Sequence, residues 1–182
     1  IMQIDLASFV SQSDRDLENH MRISDFIAGE PKAFENDPVT SHVTGSAFVV
    51  NSERSHVVLT HHRKLKCWLQ LGGHCDGVRD VLFVAQREAY EESGLSWIRP
   101  LSSAIFDIDI HEIPENAKGP AHLHYDMRFL FEADMCDPLK ITDESEDLAW
   151  VALDRFEDYT DEHSVLVMRY KLRAFAQGYR SG

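Results

Sequence analysis

The chain has 182 residues, 43% hydrophobic and 27% charged, an ordinary globular composition with enough apolar material for one buried core. Its formal net charge of −13 speaks against broad binding to nucleic-acid polymers, which rests on Lys and Arg neutralising phosphates, but not against small phosphate compounds that arrive with a cation. No apolar run approaches a membrane span, no basic-then-apolar leader is evident, and three cysteines without a CxxC pair (Cys67, Cys75, Cys136) suit a reducing cytoplasm, so a cytoplasmic protein without a membrane partner is expected.

Ile4 to Val10 reads as a short helix. Ser13 reads as the cap of a second, running through Leu17, Met21, Ile23 and Phe26 to Gly29. Residues 1–40 are therefore expected as a helical extension packing on the core, and residues 41–182 as the principal domain. Val43 to Val50 and Val57 to Thr60 read as two strands joined by a hairpin turn at 51–54. After them His61, His62, Arg63, Lys64 and Lys66 form a dense basic patch in an acidic protein. It reads as a phosphate-attracting rim or as plain solubilising charge. Trp68, Leu69 and Leu71 read as a short buried strand leading into a Gly72-Gly73 turn. His74 and Cys75 follow, with no second pair at zinc-ligand spacing.

The next stretch, GVRDVLFVAQREAYEESGL, predicts a helix from an Asp80 cap to about Ser93, with Gly94 just past its end. At about 100° per residue, Val81, Val84 and Ala85 share a face with Glu88, Glu91 and Glu92. That apolar stripe would draw the three carboxylates into a partly dehydrated place, and burying ionised carboxylates without partners is very unfavourable. Hard divalent cations held by oxygen ligands, Mg²⁺ in the usual case, answer that demand. Glu88 and Glu92 project together from successive turns, and Arg87 can pair with a neighbouring acid.

Gly73, Arg87-Glu88, Ala89, Glu91-Glu92 and Gly94-Leu95 fall at the spacing of GX5EX7REUXEEXGU, where U is a bulky aliphatic residue. The segment thus resembles the Nudix box. Two positions depart from it. Ala89 is smaller than the usual aliphatic residue, and Arg79 stands where the first Glu belongs. In the family that Glu mainly bonds the box Arg, and Asp80 is the expected substitute after a one-residue shift.

Trp97 to Ile113 alternates and reads as a strand with one buried and one wetter face, the latter carrying Asp107, Asp109 and His111. A polar loop follows at 114–120. His122 to Ala133 reads as a long strand with His122, His124, Asp126 and Arg128 on one face, as the floor of a polar site. Residues 137–147 form an acidic loop, Leu148 to Leu153 a strand, and Glu162 to Gln177 a final amphipathic helix.

The resemblance implies an α/β fold, a Nudix-type α/β/α sandwich with a mixed β-sheet between helices. It is tight over the box, looser from residue 43 onward, and leaves residues 2–40 outside. It implies a metal-dependent hydrolase that cleaves the pyrophosphate linkage of a nucleoside diphosphate joined to another moiety: a nucleotide sugar, an ADP-ribose-like compound or a nucleoside triphosphate. Mg²⁺, with Mn²⁺ as substitute, would be held by Glu88, Glu91, Glu92 and the carbonyl of Gly72. Glu88, Glu92 or a loop acid, Glu144 ahead of Glu146, would serve as base, with Arg87 in support. Arg63, Lys64, His74, His124 and Arg128 are the candidate substrate contacts, and a homodimer is a candidate assembly. The alternative reading is a Nudix-fold nucleotide-binding or regulatory protein with little or no hydrolase activity, for which Arg79 is the main support. A Nudix-fold isomerase finds no convincing Cys and Glu motif around Cys67 or Cys75.

Overall fold

A computed structural model of the protein describes residues 6–37, 39–63, 65–117, 119–143 and 145–178. Lys64 and Glu144, both singled out above, lie outside the described residues. The first helix is a single 3-10 turn, Leu6–Ser8. The second, α1 (Asp14–Gly29), begins where Ser13 predicts: the Ser13 hydroxyl accepts from the Asp16 N–H at 3.1 Å.

The sheet is built around two central strands, β1 (His42–Val50) and β7 (His122–Ala133), which run parallel with His42 opposite His124 and Thr44 opposite Asp126. Antiparallel to β1 lie β2 (His56–His62) and β4 (Leu71–His74). Antiparallel to β7 lie β5 (Ile98–Pro100) and β6 (Asp107–Ile113). The short β3 (Trp68–Leu69) and β8 (Ser145–Ala152) both pair with β2. One parallel pairing among antiparallel ones makes the sheet mixed.

Alternation along β1 separates two cores. Val43, Ala47 and Val49 are fully buried with Ile23 of α1 and with Val81, Val84, Ala85 and Ala89 of α2 (Val81–Ser93). Phe48 and Val50 face the other way, onto Val165, Met168 and Leu172 of α3 (His163–Gly178). Two helices on one face and one on the other make the expected α/β/α sandwich. Each fully buried side chain of this kind contributes about 1.5–3 kcal/mol. Residues of the N-terminal segment belong to the same core: Ile23 and Phe34 are buried in it, and Phe26 stacks on Tyr125 with ring centroids 4.0 Å apart. Among the described residues no helix is long and apolar enough to cross a membrane.

Three expectations need correction. Gly72-Gly73 is no turn but the middle of β4; the chain reverses at Asp76-Gly77, both at positive φ (51° and 82°). Trp97 to Ile113 is not one strand. It ends at Pro100 and resumes at Asp107: the Leu101 N–H still donates to the Leu130 carbonyl at 2.9 Å and the Phe106 N–H to the Arg128 carbonyl at 2.8 Å, so residues 102–105 are extra chain between two ladder bonds. The face expected to be wet is dry: Asp107, Asp109, Asp126 and Arg128 are all buried, because β7 is central and Arg15 of α1 and Lys171 of α3 reach over that side.

Candidate active site

Helix α2 is fixed at both ends by its sequence. The Asp80 carboxylate accepts from the Phe83 N–H at 3.1 Å, and Gly94, in the left-handed region at φ 65°, donates its N–H to the Tyr90 carbonyl at 3.0 Å. The buried Val81, Val84, Ala85 and Ala89 press the helix on β1 and β4. The small Ala89 is part of that contact. Packing then carries Glu88 and Glu92 over the two glycines of β4. A Cβ on Gly73 would stand 2.4 Å from Glu88 Oε2, so only glycine lets this carboxylate lie against the strand. The Gly72 N–H donates to Glu92 Oε2 at 2.8 Å, and Glu92 is 8% exposed. Glu91 is exposed, not drawn into that dry face, and its charge still acts on Glu88.

Arg87 anchors the arrangement. Its Nη2 donates to Glu88 Oε1 at 2.7 Å and to the His74 carbonyl at 2.9 Å. Burial pushes the Glu88 carboxyl above its ordinary value, against the pull of Arg87, and Glu91 and Asp76 add to the rise. The loop acid beside Arg87 is Asp76, 3.8 Å away, and not Asp80, whose carboxylate is used as the helix cap. Arg79 lies on the surface, over the Phe34 ring at 4.9 Å and within 3.5 Å of the Pro31 carbonyl, so it bears on the N-terminal segment.

The donor set suits a hard divalent cation. It is all oxygen, and the strand beneath it has no side chain at Gly72 or Gly73 to fill the space. A cation there would also favour the ionised form of Glu88 that burial disfavours.

The other candidates scatter. The basic patch on β2 and beyond is partly neutralised: His61 Nδ1 lies 3.2 Å from Glu146, Lys66 pairs with the same carboxylate, and Arg63 donates to the Ser145 carbonyl at 3.1 Å. The Lys66 hydrogen bond, followed by the charges of Lys66 and His61, holds Glu146 below the ordinary carboxylate range, which makes it a surface ion-pair partner and a poor base. Arg128 is 1% exposed and donates to Asp126 at 2.8 Å, Asp109 at 3.1 Å and Asp107 at 3.2 Å; it is structural and not a substrate contact. His74 and His124 stand together with His42, which no motif or spacing singles out. The signal that joins them, the β1–β7 register, exists only in the folded sheet. Burial and the surrounding imidazoles push His124 down to about 2, so its ring is neutral. Cys75, 1% exposed, is driven by burial up to about 12 and is an inert thiol.

No protein-family model matches the chain, and no curated protein sequence does. Solved structures do. A Nudix-family hydrolase from Clostridium perfringens is 23% identical, with 74% of this chain and 97% of that one covered at a TM-score of 0.54. The E. coli dihydroneopterin triphosphate pyrophosphohydrolase is 14% identical over 70% and 91% of the two chains, with a TM-score of 0.56. The NUDIX domain of Shewanella oneidensis NrtR, complexed with ADP ribose, is 17% identical over 84% and 97%, with a TM-score of 0.51. The chain has the Nudix hydrolase fold.

Proposed function

We propose that the protein is a metal-dependent pyrophosphohydrolase acting on a nucleoside diphosphate linked to another group: a nucleotide sugar, an ADP-ribose-like compound or a nucleoside triphosphate. The observation that carries this reading is the pair of carboxylates, Glu88 and Glu92, packed against Gly73 and Gly72 at the end of α2 in a Nudix fold. Neighbours of this fold held with ADP ribose, or named for a triphosphate substrate, support the diphosphate class.

Glu88, Glu91, Glu92 and the Gly72 carbonyl would hold Mg²⁺, with Mn²⁺ as substitute. When bound, such an ion neutralises phosphoryl oxygens and makes water more acidic. Arg87 and β4 fix the Glu88 carboxylate, and in its ionised form it is positioned to take the proton of the attacking water. The water oxygen bonds to phosphorus as the bridging P–O bond breaks, and the released phosphate leaves with the electron pair. Glu144 is a second candidate for that proton. Arg63 and Lys64 are the proposed phosphate-attracting groups at the rim. Arg79 sits over Phe34, and Asp76 stands beside Arg87, so the loop still offers Arg87 an acid where the box Glu is missing.

The test is phosphate release from a panel of nucleoside diphosphate derivatives, with Mg²⁺, Mn²⁺ or chelator, for wild type and Glu92→Gln. Metal-dependent release lost in the variant is expected. No release from any compound, with one of them still bound tightly, would replace the hydrolase by a nucleotide-binding protein.

A further inference from the structure

The hydrolysis above makes no use of three histidines on the opposite face of the sheet. In β4, Gly73 faces α2, so His74 next to it projects to the other side. There it meets His42 at the start of β1 and His124 opposite it on β7. Ring centroids are 5.1 Å apart for His42 and His74, 4.6 Å for His42 and His124, and 5.4 Å for His74 and His124. One ring nitrogen from each lies within 4.8 Å of the other two. Tetrahedral coordination by imidazole nitrogens at about 2.0–2.1 Å sets them about 3.3 Å from one another. Small ring rotations close that gap.

His42 gives independent support. Its Nδ1 is 2.8 Å from the Thr40 carbonyl oxygen, an atom that only accepts, so Nδ1 carries the hydrogen and Nε2 presents its lone pair. The residue is 1% exposed, and Nε2 is buried without a hydrogen-bond partner. A backbone carbonyl that fixes the far nitrogen and aims the near one is the usual support of a metal-ligating histidine. Cys75 alternates to the α2 side of the sheet, so the donors are nitrogens only.

We propose that His42, His74 and His124 form a binding site for a borderline transition-metal dication, Zn²⁺ foremost, separate from the carboxylate site on α2. Imidazole donors select such an ion over Mg²⁺, which prefers oxygen. Three protein ligands leave a fourth position, and the His122 ring, 5.4 Å from both His42 and His124, is the nearest side chain of matching chemistry.

Chelator-stripped protein titrated with Co²⁺ under excess Mg²⁺ tests this, with absorption read in the visible range and Zn²⁺ added as competitor. One equivalent should bind, give the absorption of a four- or five-coordinate Co²⁺ site, and be displaced by Zn²⁺. His124→Gln should weaken binding on the order of 100-fold or more. The double variant Glu88→Gln with Glu92→Gln should leave it unchanged. His42→Asn should behave as His124→Gln, with circular dichroism reporting whether this buried change is tolerated. Wild type without a stoichiometric Co²⁺ site overturns the proposal whatever the variants do. So does a site abolished by the double Glu variant and kept by His124→Gln.

Discussion

Two groups of acids, one on strands β6 and β7 and one on α2 against β4, differ in what faces them. Asp107, Asp109 and Asp126 surround Arg128; Arg15 reaches Asp107 at 3.0 Å and Asp109 at 2.6 Å, and Lys171 reaches Asp107 and Asp16 at 2.7 Å. Burial works against ionising Asp107 and Asp109, yet these cations, Arg128 first, hold both below the ordinary range. Glu88 is also largely buried, but Arg87 is shared with a backbone carbonyl and with Asp76, and burial prevails to leave Glu88 raised. The first group carries its counter-charge inside the fold and is a fastening. At Glu88 the counter-charge does not offset burial, and the proposed cation would supply the remainder. Burial and counter-charge thus move Glu88 up and Asp107 and Asp109 down.

The contrast breaks first at Glu92. Glu92→Gln keeps an oxygen that can accept from the Gly72 N–H, so the fold should persist, while turnover falls by at least ~10⁴-fold, about 5 kcal/mol of barrier. Unchanged thermal unfolding beside lost phosphate release is the expected pair of results. Full activity in this variant would remove the metal assignment.

Arg128→Met should do the reverse. It strips the buried aspartates of their principal cation, and breaking a buried pair in this way costs about 3–5 kcal/mol. Urea unfolding should show that loss directly.

Acid and base limits sharpen the same comparison. Asp107 and Asp109 are depressed, so their contribution to stability is complete above their ordinary value of 3.8 and is lost as pH falls through the folded values. Glu88 is raised, so without metal its charge weakens the fold as pH climbs from its ordinary 4.5 through the folded value. Mg²⁺ should therefore raise the melting temperature more above that window than below it. Glu88→Gln should flatten the dependence on Mg²⁺ and leave the acid limb in place.

Gly73→Ala is a smaller perturbation of one carboxylate alone. A methyl 2.4 Å from Glu88 Oε2 must push that group aside by about 1 Å. Misplacement on that scale costs roughly 10²-fold in rate. Stability should change by less than about 1.5 kcal/mol, since the displaced group is a side-chain end.

Much of this was legible before the fold. The caps at Ser13, Asp80 and Gly94 are local chemistry, and the sequence alone places them. Glu88 and Glu92 were legible because helical period and box spacing agree on them. The fastening around Arg128 was not. Alternation in β6 and β7 showed a polar face, but only long-range pairing, Asp107 opposite Arg128 and Asp109 opposite Asp126, makes that face an interior. His42 was invisible for the same reason: its partners are 32 and 82 positions away along the chain (74 − 42 and 124 − 42) and meet it through strand register. The loop acid was misread between Asp80 and Asp76 because a cap and an ion-pair partner look alike in sequence.

Arg79 offers the finest test. If Asp76 stands in for the missing box Glu, the residue at 79 is free to serve the N-terminal segment, as its position over Phe34 suggests. Arg79→Glu then loses one exposed cation–π contact, about 0.5–1 kcal/mol of stability, and leaves the rate within about twofold. Asp76→Asn should affect the rate more, by loosening Arg87 and through it Glu88. A several-fold gain in rate from Arg79→Glu, with no effect from Asp76→Asn, would return the anchoring role to position 79 and mark the wild-type loop as impaired. The two variants differ by three positions in one loop, so parallel measurement of Mg²⁺ dependence and melting temperature separates anchoring of the acids from packing on Phe34.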